Sequence, residues 1–360
     1  MSALLYIVLT TGQCNLKCKY CGGSFPKEIV PWEVQYSIED LVKFLSQDRE
    51  AIVAFYGGEP LLNPGFIEKV MKKVLAKHFL IQTNGILIEN LKPEFWRRMD
   101  AVLLSIDGRK EVTDYYRGKG VYDKVLRAAA RLRAMGFEGD LIARMAVSER
   151  SDVYLDVTHL LKLGLFDHVH WQLDVIWSDS WDDFDSWVKN SYKPGISKLV
   201  ALWLNEMRKG RVLGIVPFQG VMKAILQGGI SSPPCGSGRD AFAISTDGRI
   251  LACPIAADVK WAYLGDIQQK RPEDLRDSIL IEEPCVSCDV FRYCGGRCLY
   301  TYKERLWGEG GFRKVCDLTK HMISELLKIS HEVRQLMKSR IVRPEQVLYP
   351  RFNNTTEIIP

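Results

Sequence analysis

Residues 4–21 read LLYIVLTTGQCNLKCKYC, and the reading of this stretch decides the fold. The apolar run LLYIVLT (4–10) predicts a buried strand. It runs into Cys14-Asn15-Leu16-Lys17-Cys18-Lys19-Tyr20-Cys21, a C-x3-C-x2-C loop with an aromatic just before its last cysteine. Three thiols this close on one loop can hold three irons of a 4Fe–4S cluster and leave the fourth iron without a protein ligand. Structural zinc is the competing reading, but zinc takes four ligands, and no His or fourth Cys lies nearby in the loop. The backbone amides of Gly22 and Gly23 are expected to form a nest facing the cluster sulfides.

Working outward, further short β-branched runs follow: AIVAFYG (51–57), HFLIQTN (78–84), AVLLSID (101–107), LIARMAV (141–147) and HVHWQLDVIW (168–177). Between them lie amphipathic segments: SIEDLVKFLSQ (37–47), FIEKVMKKVLAK (66–77), LKPEFWRRM (91–99), YDKVLRAAARLRAMG (122–136) and DVYLDVTHLLKLG (152–164). Strands separated by helices imply βαβ units and a parallel sheet. Asn63-Pro64-Gly65 before one helix, and Gly136 and Gly164 after two others, stand where helix ends are expected. The pattern predicts an α/β fold, a partial (β/α)6 barrel over residues 1–178, with chemistry at the C-terminal ends of the strands.

Beyond that boundary the pattern changes. Residues 179–234 read as a helical bridge, with SKLVALWLNEMRKG (197–210) and QGVMKAILQGG (219–229). Residues 235–320 are rich in Gly, Cys and turns, with a hairpin signal at Thr246-Asp247-Gly248; so little apolar periodicity predicts folding around metal rather than a core of their own. Residues 321–360 read as one helix and a Pro-containing tail.

Bulk properties exclude several classes. The 360-residue chain is 47% hydrophobic and 26% charged, as soluble globular proteins are. No apolar run approaches the roughly 20 residues that span a bilayer, and the start lacks the basic region and cleavage site of a signal peptide. The expected location is the cytoplasm. A net charge of +5, spread along the chain, gives no reason to expect a nucleic-acid partner. Ten cysteines in tight groups, in a compartment that keeps thiols reduced, read as metal ligands rather than disulfides.

The cysteine loop resembles that of the radical S-adenosylmethionine (SAM) superfamily, and other segments agree. Tyr56-Gly57-Gly58-Glu59-Pro60 is similar to the family's GGEP motif, whose backbone oxygens and glutamate receive the SAM amino group. Gln82-Thr83-Asn84-Gly85 and Ser105-Ile106-Asp107-Gly108 are similar to the corresponding strand ends of radical SAM peptide-modifying enzymes. The resemblance implies cofactor contacts at Tyr20, Gly57, Gly58, Glu59, Pro60, Gln82, Asn84, Ser105 and Asp107, with Arg117 facing the SAM carboxylate and Arg144 a further candidate. Polar residues at strand ends also serve as helix caps and turn formers. In this family the cluster's open iron chelates SAM, and reductive cleavage releases a 5′-deoxyadenosyl radical.

The remaining cysteines, Cys235, Cys253, Cys285, Cys288, Cys294, Cys298 and Cys316, follow C-x12-G-x4-C, C-x2-C-x5-C-x3-C and a lone C. This order resembles the SPASM domain, which binds two auxiliary iron–sulfur clusters, three clusters in all with that of Cys14, Cys18 and Cys21. Two cubanes fully held by cysteine need eight thiolates, and seven are present, so one cluster has an open iron, a non-cysteine ligand or fewer irons. The resemblance implies that Cys235, Cys253 and Cys298 hold the auxiliary cluster nearer SAM, and Cys285, Cys288, Cys294 and Cys316 the distal one. If Cys285 to Cys298 share one cluster instead, the count is unchanged.

Enzymes with this architecture mostly modify peptides or proteins, by thioether or carbon–carbon crosslinks, epimerisation or oxidation to formylglycine. The resemblance implies a peptide or protein substrate and an external electron donor such as flavodoxin or ferredoxin; because the first barrel strand begins at about residue 4, leader recognition is expected to need a separate leader-binding protein, another surface of this chain, or a substrate without a leader. An anaerobic sulfatase maturase is the alternative within the class. A non-catalytic iron–sulfur or zinc protein is the alternative outside it. The segment WQLDVIWSDSWDDFDSW (171–187) has two readings: a substrate channel in which Asp174 is the catalytic proton acceptor, or an amphipathic edge packed on the C-terminal region.

Overall fold

In the computed structural model of the chain, which describes residues 3–175, 178 and 181–349, the strands form one sheet. Its strands are β1 (Leu5–Leu9), β2 (Ile52–Tyr56), β3 (His78–Thr83), β4 (Ala101–Ser105), β5 (Asp140–Val147), β6 (His168–Leu173), β7 (Ala241–Ile244), β8 (Arg249–Leu251) and β9 (Tyr263–Asp266). They lie in the order β6-β5-β4-β3-β2-β1-β7-β8-β9. Pairing is parallel from β6 through β1 and across to β7, then antiparallel through β8 and β9. The first six strands are those expected for a partial (β/α)6 barrel.

Both faces of β1 are buried, and its side chains alternate between two apolar layers. Leu4, Tyr6 and Val8 belong to the main core, while Leu5, Ile7 and Leu9 belong to a smaller cluster with Ile52, Leu80, Leu103 and Ile142. A strand buried on both faces reads as a continuous apolar run, which is why LLYIVL shows no alternation.

Helices α1 (Ile38–Leu45), α2 (Pro64–Lys73), α3 (Pro93–Trp96), α4 (Lys110–Arg117), α5 (Val121–Ala134) and α6 (Val153–Lys162) lie between or after these strands in the chain. Ser37, Asn63 and Asp152 cap α1, α2 and α6 by accepting from first-turn amides. The bridge contributes α7 (Phe184–Trp187), α8 (Lys193–Arg208) and α9 (Val216–Gln227); the C-terminal part adds α10 (Phe291–Cys294), α11 (Leu299–Glu304), α12 (Gly308–Lys338) and α13 (Pro344–Val347). None of the described helices is long and apolar enough to cross a membrane.

The cysteine-rich segment departs from expectation. Thr246-Asp247-Gly248 does turn a hairpin, but its first strand, β7, pairs in parallel with β1 and extends the barrel sheet. The segment also has a small core of its own around Ala252, Cys253, Ala256, Ala262, Ile281, Leu299 and Tyr302. Its apolar residues are scattered among turns, so no periodicity announced them. Helix α12 begins well before residue 321 and carries Cys316.

Candidate functional site

A cavity of about 340 Å³ opens at the C-terminal ends of the strands. Cys14, Cys18, Tyr20 and Cys21 come to it from the loop after β1; Gly57, Gly58 and Glu59 from the end of β2; Gln82 and Asn84 from β3; and Ser105 from β4. Arg117, Arg144 and Asp174 line it too, and so do Cys235, Cys253 and Cys298 from the far end of the chain. Pro60 and Asp107, expected as contacts, do not line it, and neither do Cys285, Cys288, Cys294 and Cys316.

The two glycines after β2 serve the protein before any ligand. A Cβ on Gly57 would stand 2.4 Å from the Thr11 carbonyl oxygen, and one on Gly58 2.1 Å from that of Gln13. The Gly58 amide donates to Thr11 (3.1 Å) and the Glu59 amide to Gln13 (2.7 Å), so this turn is pinned to the strand that delivers the cysteine loop. Glu59 is fully buried and already well used. Its Oε1 accepts from the Leu61 amide (3.1 Å) and the Thr83 hydroxyl (2.6 Å), and its Oε2 from the Asn84 amide (2.8 Å). Burial pushes its carboxyl up to about 7, those hydrogen bonds opposing the shift.

Arg117 is also not an open fork. Its Nε and Nη2 donate to Asp107 at 2.8 Å each, in a buried bidentate pair. Asp107 accepts in addition from the Tyr20 hydroxyl (3.1 Å) and the Ala146 amide (2.8 Å), and the guanidinium lies over the Tyr20 ring. Asp107 therefore acts behind the cavity wall, tying β4, α4 and the cysteine loop together. Asn84 is likewise spent within the protein: besides its backbone amide, given to Glu59, its side-chain NH2 donates to Asn15 (2.7 Å) and its side-chain carbonyl accepts from the Ile86 amide (3.0 Å). Arg144 donates to the Met145 carbonyl and to the Gln172 side chain.

Two acceptors in the wall are left over. Gln82 Oε1 and Asp174 Oδ1 are buried with no hydrogen-bond partner among the described residues. The other Asp174 oxygen accepts from Ser148 (3.0 Å) and Ser178 (2.7 Å). Burial pushes the Asp174 carboxyl up to about 6, against the two serines. Orphaned buried acceptors cost free energy unless a ligand donates to them. Trp181 and Trp187 of the tryptophan-rich segment pack with Phe184, and Trp181 and Phe184 also with Trp307, on the C-terminal region. Residues 176, 177, 179 and 180, which complete that segment and the end of the sixth predicted strand, lie outside the described residues.

The thiols are grouped as neighbours. Cys18 donates toward Cys21, which holds the Cys18 thiol up and draws Cys21 down; burial raises Cys14. The Gly22 amide is taken by the Cys18 carbonyl (2.9 Å), leaving Gly23 to donate to Cys21, so the expected two-amide nest is reduced to one. Burial pushes Cys253 well up, with Cys298 and Cys235 as charged neighbours adding to it. Burial likewise pushes Cys285 up to about 11, with Cys316 and Cys288 as neighbours, and Cys294 up to about 12. Thiols grouped as neighbours suit an iron–sulfur cluster, since a coordinating thiol is deprotonated outright by the metal it binds. No three His, Cys, Asp or Glu side chains among the described residues converge on a single-ion position. Ser237, which the sequence reading passed over, also lines the cavity and lies 3.2 Å from Cys235 Sγ. Its only sequence signal is its place two residues after a cysteine.

Residues 8–149 match the Radical SAM superfamily. Residues 8–149 thus carry a radical SAM domain, and relatives of the chain, among them the two named next, belong to the SPASM-containing subfamily. The cysteine-type anaerobic sulfatase-maturating enzyme of Clostridium perfringens is 27% identical over 329 residues, 82% of this chain and 88% of that protein. Mycofactocin maturase MftC of Mycobacterium tuberculosis is 28% identical over 312 residues, 80% and 76% of the two chains. Among solved structures, native anSMEcpe with bound AdoMet superposes with a TM-score of 0.71 at 22% identity, covering 91% of this chain and 100% of that one. Streptococcus suis SuiB bound to its precursor peptide SuiA gives 0.57 at 13% identity, with 83% and 72% covered. These likenesses establish the fold, and the radical SAM match over residues 8–149 implies SAM and a 4Fe–4S cluster.

Proposed function

We propose that the chain modifies a ribosomally made peptide, or a protein side chain, by crosslink, thioether formation or oxidation. The observation that carries this reading is one cavity lined at the same time by Cys14, Cys18 and Cys21, by Glu59, Gln82 and Ser105, and by Cys235, Cys253 and Cys298. The donor sets fit the cofactors. Three thiols in the first loop would hold three irons and leave a fourth open to SAM, and Gln82 Oε1, in the wall of the same cavity, is an acceptor suited to an ammonium or ribose hydroxyl. Bound there, cluster and SAM supply a 5′-deoxyadenosyl radical that removes a hydrogen atom from the substrate. Cys235, Cys253 and Cys298 would hold the near auxiliary cluster with one iron lacking a cysteine; Cys285, Cys288, Cys294 and Cys316 would hold the distal one. Asp174 would take the substrate proton, a role supported by an Oδ1 without a partner among the described residues and by a carboxyl that burial pushes up to about 6.

In this scheme residues 1–178 are the catalytic unit, 179–234 the bridge and 235–320 the auxiliary-cluster unit. An external flavodoxin or ferredoxin supplies electrons, and a separate protein presents the peptide leader. The relatives named above support the substrate class, since two of them are maturases by name and SuiB was solved with a precursor peptide. The likeness to the sulfatase-maturating enzyme favours a second reading, oxidation of a protein cysteine to formylglycine.

The test is anaerobic reconstitution followed by reduction in the presence of SAM. Release of 5′-deoxyadenosine, with iron and sulfide for three clusters, is expected; a protein without iron, or inert to SAM, would defeat the proposal. Incubation with a cysteine-containing sulfatase peptide separates the readings, because an aldehyde product favours the second.

A further inference from the structure

Cys235 opens the stretch Cys235-Gly236-Ser237-Gly238, a tight turn ahead of β7. Gly236 and Gly238 both have left-handed φ, at 81° and 78°, which glycine adopts readily. The Gly236 carbonyl accepts from the amides of Arg239, Asp240 and Ala241 at 2.9 Å each, and the Gly238 carbonyl from the Ile279 amide (3.0 Å). A Cβ on Gly236 would stand 2.0 Å from Asp240 Oδ1. The Asp240 carbonyl accepts in turn from the Leu5 amide (2.9 Å), at the start of β1. The residue between the two glycines is therefore held in place by backbone bonds and by the barrel sheet.

That residue is Ser237, and it is 4% exposed. A serine in a turn commonly folds its hydroxyl back on a nearby backbone group. Here the hydroxyl turns to sulfur. Its Oγ lies 3.2 Å from Cys235 Sγ, in the wall of the cavity that Cys253 and Cys298 also line. While Cys235 is a thiol, the thiol proton can bridge the two atoms. A thiolate bound to iron has no proton, so the polar hydrogen left between oxygen and sulfur is the serine's, and Ser237 becomes the donor. A hydroxyl that donates to an anionic sulfur makes a charge-assisted bond, stronger than a neutral one.

We infer that Ser237 donates a hydrogen bond to the Cys235 thiolate and so raises the reduction potential of the near auxiliary cluster. Each electron that a cluster takes up adds negative charge to its thiolates. A donor aimed at one of them stabilises the reduced form more than the oxidised one, and cluster potentials follow hydrogen bonds to sulfur. Ser237 is a positioning residue in this role, acting through Cys235 rather than on substrate. The inference rests on the reading of Cys235, Cys253 and Cys298 as cluster ligands.

The test uses the full-length chain with Cys14, Cys18 and Cys21 replaced by alanine, so that only auxiliary clusters remain. Iron and sulfide are counted, and the clusters are titrated potentiometrically by electron paramagnetic resonance. Their iron–sulfur stretching bands are recorded by resonance Raman spectroscopy in H2O and in D2O. In Ser237→Ala the iron content is expected to hold, one of the two signals shifts to more negative potential, and part of the D2O shift of the bands is lost. The other signal is the internal reference and stays in place. Ser231→Ala, which removes an exposed hydroxyl on the same approach to β7, should keep the parent values. Full iron with both potentials unmoved, or with the D2O shift intact, overturns the inference. Loss of a cluster in Ser237→Ala also overturns it, because the hydroxyl is then an iron ligand or a structural prop. So does an equal shift in Ser231→Ala, which would trace the effect to the turn. A parent chain that binds no iron would instead defeat the assignment of ligands.

Discussion

Asp174, proposed above as the proton acceptor, would serve chemistry at the expense of the fold. Its carboxyl titrates at about 6 in the folded chain, because it is buried, against about 3.9 when exposed. The folded state therefore binds this proton more tightly than the unfolded state. The group's contribution to stability is fully present below pH 4 and is lost as pH rises through 6, so at neutral pH the buried charge costs about 3 kcal/mol. Asp174→Asn should consequently raise Tm at pH 7.5 but not at pH 4, abolish modified product, and spare 5′-deoxyadenosine release; calorimetry and product analysis read the three effects. Unchanged product would remove Asp174 from the mechanism. Glu59→Gln should act the other way on stability. An amide can accept on one oxygen only, leaving either the Asn84 amide or the Leu61 and Thr83 donors facing an NH2 group, at a cost of about 1–3 kcal/mol in urea unfolding. Residue types at strand ends were enough to single out Glu59, Gln82, Ser105 and Asp174. They could not show that Arg117 is engaged by Asp107, because that pair joins a strand end to the last turn of α4 and only the folded geometry brings the two into register.

At the scale of elements, the turn after β2 and the loop after β1 behave as one unit. Gly58→Ala would put a methyl group 2.1 Å from the Gln13 carbonyl oxygen and 2.9 Å from the Cys14 amide, both backbone atoms. Neither can yield without moving Cys14, so the variant is expected to lose the N-terminal cluster and with it SAM cleavage; on the three-cluster reading proposed above, iron per chain falls by about one third. Gly65→Ala, in the first turn of α2 where an added Cβ meets nothing within 4 Å, should leave iron content and SAM cleavage unchanged. The six barrel strands were legible because a run buried on both faces needs no partner to be recognised. Helix α4 was not, because its buried face is Val112, Thr113, Tyr116 and Arg117. Half of that face is polar, in order to serve Asp107, so the apolar period that betrays a helix is missing. Strand β7 was hidden for another reason: AFAI is four residues long and follows a glycine-rich turn, and only the edge of β1 gives it something to pair with.

That edge decides how the whole molecule holds together. The sequence pattern divides the chain near residue 235, but the sheet runs across that point, with Leu5, Tyr6, Ile7 and Val8 in register with Ala241, Phe242, Ala243 and Ile244. The same joint sets Cys235 and Cys253, on either side of the β7–β8 hairpin, over the cavity that the first three cysteines line. Removing residues 235–360 would strip β1 of one partner and expose a flat, fully apolar strand edge, the feature that templates aggregation. It would also uncover Leu5, Ile7 and Leu9 where Ala241, Ala243 and Leu251 now cover them. Burial of side chains of this size is worth roughly 1.5–3 kcal/mol each. A fragment of residues 1–234 is therefore expected to aggregate, or to lose cooperative thermal unfolding, even though it keeps all six barrel strands and the complete C-x3-C-x2-C loop. Size-exclusion chromatography and far-ultraviolet circular dichroism decide the matter. A soluble, monomeric fragment that melts cooperatively and binds one iron–sulfur cluster would mean that the barrel closes without β7, and that the two cysteine regions are joined by the cavity alone.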